Sequence, residues 1–113
     1  MSLDVDCKAE PLLAVVEAVG EVDLATVPKL REAISEQIVA GRTNVLVNLE
    51  AVTYMDSTGL GVLVGAAKAV HAAGGSLRLV CDNPRLLRLL RITGLDKALS
   101  VHPTLESAVA DWP

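Results

Sequence analysis

The stretch that decides the fold is Asn44-Val45-Leu46-Val47-Asn48-Leu49, followed two residues later by Val52-Thr53-Tyr54-Met55-Asp56-Ser57-Thr58-Gly59-Leu60-Gly61. The first part is apolar and β-branched enough to predict a central strand. Beyond the second part, Leu60, Leu63, Val64 and Ala67 recur at helical spacing, and Asp56 or Ser57 stands where a helix N-cap belongs. A buried strand that hands over to a helix in this way leaves the Ser57 hydroxyl at the helix N-terminus, next to Gly59 and Gly61. A phosphate attached there would meet unpaired backbone N–H groups and the positive end of the helix dipole. The pattern points to a switch rather than a catalyst.

Working outward, the chain reads strand, strand, helix, strand, helix, strand, helix, short strand, helix. Residues 4–9 and 12–19 form a predicted hairpin turning at Glu10-Pro11. Thr26 is the expected cap of a helix over about 27–40, with Pro28 in its first turn and Gly41 past its end. Val27, Leu30, Ile34 and Ile38 make the inward stripe of that helix, and Lys29, Glu32 and Glu36 its wet face. A strand at 44–49 and a helix at 57–73 follow. After them come a strand at 76–81, a helix from Pro84 to about Thr93, a short strand near 98–101 and a helix from Thr104 to Asp111. Two β-α-β units in series predict parallel strands joined by right-handed crossovers. The fold class is therefore α/β: a mixed sheet with an N-terminal hairpin, parallel strands and about four helices. Loops after successive parallel strands leave the same sheet edge, where open α/β sheets take their partners. That topology brings Gly20-Glu21-Val22-Asp23 close to Tyr54–Thr58.

At 113 residues the chain is expected to be one domain, residues 1–113, with a single core. One Tyr, one Trp and no Phe leave that core to Val, Leu, Ile and Ala. The scarcity of aromatic stacking platforms and a net charge of −4 argue against nucleic-acid binding. No apolar run is long enough to span a membrane, and Asp4 and Asp6 interrupt the start of any signal peptide, so a cytoplasmic protein is expected. Cys7 and Cys81 lack metal-ligand spacing and read as reduced core residues; a redox pair requires their strands to adjoin. His71 and His102 have no local ligand partners. No metal, no cofactor and no catalytic residue is expected.

The helix after Ser57 has an unusual outer side. With Leu60, Leu63, Val64, Ala67 and Val70 turned to the sheet, the opposite side carries Val62, Gly65, Ala66, Ala69, Ala72 and Ala73, with Lys68 at its margin. A nearly uncharged outer face of small residues is a docking surface in the making, unless a terminal strand or helix covers it. Each helix-interior glycine costs about 1 kcal/mol relative to alanine. Close approach of a partner's backbone accounts for Gly59, Gly61 and Gly65 together, with tight packing on the sheet as the competing cause.

Asp56-Ser57-Thr58-Gly59-Leu60-Gly61 also resembles the phosphoacceptor motif of bacterial anti-sigma factor antagonists, which are single STAS domains. Gly20-Glu21-Val22-Asp23 followed by Thr26 is similar to a second element of that family, and Gly74-Gly75 before Ser76-Leu77-Arg78-Leu79-Val80 to a third. The matches span about residues 12–101 in the family's order. The resemblance implies a STAS-like fold and a partner-switching role. The unphosphorylated protein binds an anti-sigma factor that is also a serine kinase of the histidine-kinase-like ATPase type, and a sigma factor is freed. Phosphorylation at Ser57 ends the interaction and a PP2C-type phosphatase reverses it. The implied partner surface comprises Gly20, Glu21, Asp23, Asp56, Ser57, Thr58, Gly59, Gly61, Val62 and Gly65. Thr58 carries a second hydroxyl, read here as bonding locally in the first turn.

Two other readings compete. Gly59-x-Gly61-x-x-x-Gly65 opens a helix as dinucleotide sites do, but the spacing departs from G-x-G-x-x-G and no Walker A lysine follows. A non-phosphorylated STAS scaffold, such as the cytosolic subunit of a lipid-transport ATPase, shares the fold; the intact Asp-Ser-Thr-Gly-Leu-Gly counts against it. Arg85, Arg88 and Arg91 make a basic stripe on the helix that begins at Pro84, read as a solvated face or as a contact for an acidic partner.

Overall fold

The computed structural model describes residues 2–9, 13–110 and 112, and the elements run β1 (Leu3–Ala9), β2 (Ala14–Val22), α1 (Val27–Val39), β3 (Asn44–Met55), α2 (Ser57–Ala72), β4 (Ser76–Val80), α3 (Pro84–Ile92), α4 (Leu95–Ala98), β5 (Ser100–His102) and α5 (Leu105–Val109). The sheet order is β1-β2-β3-β4-β5. β1 pairs antiparallel with β2, and each later pair is parallel, as the mixed-sheet expectation requires. The predicted turn at Glu10-Pro11 and the predicted helix end at Asp111 lie outside the described residues.

Hydrophobic burial divides by sheet face. Val27, Leu30 and Ile34 of α1, Leu60, Leu63 and Val70 of α2, and Leu86 and Leu90 of α3 close over Val16, Val45, Val47, Leu77 and Leu79. On the other face a smaller cluster of Leu46, Val80 and Ala108 is covered by α5 and Trp112. Arg78 fastens that cover: Nη1 donates to the Ala108 carbonyl at 2.8 Å, and the guanidinium lies 4.7 Å from the Trp112 ring centre. Trp112 Nε1 donates to Ser76 Oγ at 2.7 Å.

Three expectations need correction, and one open alternative is closed. β3 does not stop at Leu49 but continues to Met55, because its second half still pairs with β2 through Val19↔Ala51, Glu21↔Tyr54 and Val22↔Met55 after pairing with β4 has ended at Asn48↔Val80. The helices number five among the described residues, since Leu95–Ala98 forms a short turn of helix after Gly94, whose φ of 74° suits glycine. Thr26 precedes α1, yet its side chain caps nothing. Its hydroxyl donates to the Glu21 carbonyl at 2.7 Å and accepts the Asp23 N–H at 3.0 Å, and so holds the preceding loop shut. Cys7 and Cys81 do not lie on adjoining strands: β2 and β3 stand between β1 and β4, which excludes the redox pair.

Candidate partner-switch site

The site is assembled by two parallel strands that end together. β2 and β3 stay paired to Val22↔Met55, and two further hydrogen bonds tie them at this edge. Asp56 N–H donates to the Val22 carbonyl at 3.2 Å, and Thr53 Oγ1 donates to the Gly20 carbonyl at 3.3 Å. The 20–23 and 54–58 segments are thus joined, as the topology predicts, although residues 20–22 and 54–55 are still paired strand rather than loop. Gly20 makes the corner. Its φ of 121° and the close approach of the Ser2 carbonyl leave no room for a side chain, and the β2–β3 register shifts between Gly20 and Glu21.

The two aspartates act differently: Asp56 caps α2, whereas Asp23 closes the turn ahead of α1. Asp23 Oδ1 accepts the N–H groups of Ala25 and Thr26, each at 3.0 Å, and its carbonyl accepts the Val27 N–H at 2.8 Å. Asp56 has the extended backbone of an N-cap, and its Oδ1 accepts the Thr58 N–H at 2.9 Å and the Thr58 hydroxyl. The Thr58 hydroxyl, more than the backbone N–H groups, pulls the Asp56 carboxyl below its ordinary pKa. Thr58 therefore behaves as its local reading anticipates, and its hydroxyl is engaged.

Ser57 is different. It is the first residue of α2 and exposed, and among the described residues nothing hydrogen-bonds its side chain. Four and eight residues on, Gly61 and Gly65 are exposed on the same side of the helix, and a Cβ added at either meets no atom within 4 Å. Their lack of side chains has no cause inside the protein. Gly59 is the reverse case and corrects the sequence reading: it is buried, and an added Cβ would stand 2.6 Å from Met55 Cγ and 2.8 Å from Val22 Cγ1. Packing of α2 on the sheet explains Gly59, so it does not belong on the outer surface.

The outer side of α2 is also less open than its sequence suggests. Val62 and Ala66, assigned there by helical spacing, are only 9% and 8% exposed because α1 lies alongside. Between the two helices runs a groove of about 440 Å³. Leu24, Val27, Ile34 and Ile38 form one wall, Gly61 and Gly65 lie on the other, and among the described residues Arg31 is the one charged side chain in the lining. Thr58 closes the end nearest Ser57. Leu24, 76% exposed, stands at the rim, where nothing in the sequence pattern of α1 singled it out. An exposed hydroxyl with no bonding partner among the described residues and an apolar groove are thus neighbours on one surface. Among the described residues there is no cluster of acidic, His or Cys side chains able to hold a metal, and no helix long and apolar enough to cross a membrane.

The STAS domain model matches residues 4–108. The anti-sigma-B factor antagonist of Bacillus subtilis (strain 168) is 39% identical over 109 residues, which cover 96% of this chain and 99% of that protein. The crystal structure of an anti-sigma factor antagonist from Mycobacterium paratuberculosis superposes with a TM-score of 0.88 at 28% identity, covering 96% of this chain and 92% of that one. The Bacillus cell fate determinant SpoIIAA in its phosphorylated form superposes with a TM-score of 0.72 at 25% identity, covering 96% and 97%. A family match over nearly the whole chain and relatives covered almost end to end settle the family: the chain belongs to the STAS domain family, among its anti-sigma factor antagonists.

Proposed function

We propose that this protein, unphosphorylated, binds an anti-sigma factor with serine-kinase activity and so releases a sigma factor, and that phosphorylation of Ser57 switches the binding off. A PP2C-type phosphatase restores the binding form, and the cycle runs in the cytoplasm without any catalysis by this chain. The observation that carries the reading is the free, exposed Ser57 side chain at the first position of α2, in line with the open Gly61 and Gly65. The partner surface comprises Glu21 near the end of β2 and Asp23 just beyond it, Asp56, Ser57 and Thr58, and the groove side of α2 at Gly61, Val62 and Gly65.

Electrostatics supports the direction of the switch. A phosphoserine adds between one and two negative charges. In the free protein that charge meets the N-terminal end of α2, which favours it. In a complex it is desolvated next to the Asp56 carboxylate, which Thr58 holds ionised. A disfavour of about 3 kcal/mol weakens binding roughly a hundredfold. Such a modification leaves the fold intact and dismantles the complex.

The test combines the protein with its cognate anti-sigma factor and ATP, locates the phosphate by mass spectrometry, and measures affinity for Ser57→Ala and Ser57→Asp. Phosphate on Ser57, retained binding by Ser57→Ala and weakened binding by Ser57→Asp are expected. Equal affinity of the two variants contradicts the proposal, and absence of phosphate transfer favours a non-phosphorylated scaffold.

A further inference from the structure

Another cleft, of about 300 Å³, lies between the end of β3 and α3. Tyr54, Met55, Leu86 and Leu89 supply its apolar lining and Arg85 its charge. Its walls are pinned together: Asn83 Nδ2 donates to the Val52 carbonyl at 3.4 Å, while Asn83 Oδ1 caps α3 by accepting the Arg85 N–H at 2.9 Å. Tyr54, the chain's one tyrosine, is 46% exposed only three residues before Ser57.

The face of α3 above this cleft is charged in one sense only. Its nine residues include Arg85, Arg88 and Arg91, all exposed, and no acid. Among the described residues none of the three is ion-paired, in a protein whose net charge is −4. Leu89 is half-buried and Ile92 is 71% exposed, each four residues after an arginine and so on the same side of the helix. A solvated face has no use for Ile92 or for an exposed tyrosine. Tyr and Arg beside apolar side chains are the residue types that anchor protein interfaces. Strand-like nucleic acid fits less well, since Tyr54 is the only aromatic at this edge and the rest of the protein is acidic.

We propose that the β3–α3 cleft and the Arg85–Arg88 face hold an acidic segment of the partner, seated by an apolar side chain against Tyr54 and Leu89. The inference rests on the reading that the same partner meets Ser57, and it widens that interface across the sheet edge to α3. The carboxylates of the segment face Arg85 and Arg88 at the rim, so they govern the association rate and its salt dependence more than the lifetime of the complex.

The experiment titrates the purified cognate anti-sigma factor against the full chain and its Arg85→Glu, Arg88→Glu and Ser57→Asp variants at low and high salt. Lys8→Glu, an exposed change on the far edge strand β1, controls for net charge. Each arginine variant is expected to bind about tenfold more weakly at low salt, by slower association and with a shallower salt dependence, while melting like wild type and Lys8→Glu. If both arginine variants bind like Lys8→Glu while Ser57→Asp is weakened, the proposal for α3 is overturned and the Ser57 reading stands. Arginine variants that keep the anti-sigma factor but lose a labelled single-stranded RNA held by wild type overturn it too. If wild type itself does not bind the anti-sigma factor, the Ser57 reading fails and this inference falls with it.

Discussion

Asp56 and Thr58 close on each other across Ser57: one carboxylate oxygen accepts both the backbone N–H and the hydroxyl of Thr58. Two hydroxyls stand side by side in the sequence, and this contact separates them. Thr58 is half-buried and tied to the cap, whereas Ser57 is exposed and untied. In the kinase reaction proposed above, Ser57→Ala should abolish phosphate incorporation and Thr58→Ala should leave it on Ser57. Phosphopeptide mapping of the two variants decides this, and phosphate found on Thr58 would count against the assignment.

The same contact makes a pH-dependent cap. The Asp56 carboxyl titrates below its ordinary value because the Thr58 hydroxyl favours the ionised form. A carboxylate depressed in the folded state stabilises the fold above its unfolded pKa, near 3.9, and that contribution is lost as pH falls through the folded value. Asparagine caps a helix about as well as aspartate but does not titrate. The melting advantage of wild type over Asp56→Asn should therefore be constant near neutrality and vanish in acid. Thr58→Ala should move the Asp56 titration, followed by carboxyl NMR, back toward the ordinary range.

The start of α2 is legible to within one residue, Asp56 or Ser57 as its cap, because a change from strand to helical period, a capping side chain and two glycines agree at one point. The second half of β3 was not. Glu50, Ala51, Thr53 and Tyr54 are all exposed, so the segment lacks the apolar run that announces a central strand. It is held as strand by β2 alone, a partner supplied by topology rather than by composition. The site shows the same division. Ser57 and its junction with the 20–23 segment follow from local pattern and parallel connection. The burial of Val62 and Ala66 depends on how closely α1 lies beside α2, which no periodicity within either helix encodes.

The two thiols should never form an intramolecular disulfide. Cys7 is opposite Val16, Val16 opposite Val47 and Val47 opposite Leu79, so three strand spacings, about 14 Å, separate β1 from β4, whereas a bridge tolerates about 7 Å between Cα atoms. Burial pushes both thiols above their ordinary pKa, with Asp6 and Glu36 adding to the effect at Cys7. Ellman's reagent on the native protein should modify half-buried Cys7 slowly, and faster as pH rises, while Cys81 reacts only after unfolding. Loss of two hydrogens by mass on mild oxidation of the native monomer would disprove the separation.

Three glycines of α2 should respond to alanine in two opposite ways. At Gly61 and Gly65 the new methyl group enters open space, and the gain in helix propensity is about 1 kcal/mol for each substitution. Melting temperatures should rise by roughly 4–8 °C per kcal/mol in a domain of this size. At Gly59 the methyl group meets Met55 and Val22, both buried, and overpacking of about 1–3 kcal/mol offsets or exceeds the propensity gain. Gly59→Ala should therefore melt no higher than wild type and bind the anti-sigma factor normally wherever it remains folded. Gly61→Ala and Gly65→Ala should melt higher and bind more weakly, because the methyl groups hold off a partner that approaches the helix backbone. Stabilised variants that keep full affinity would place the partner elsewhere than on the Gly61–Gly65 side of α2.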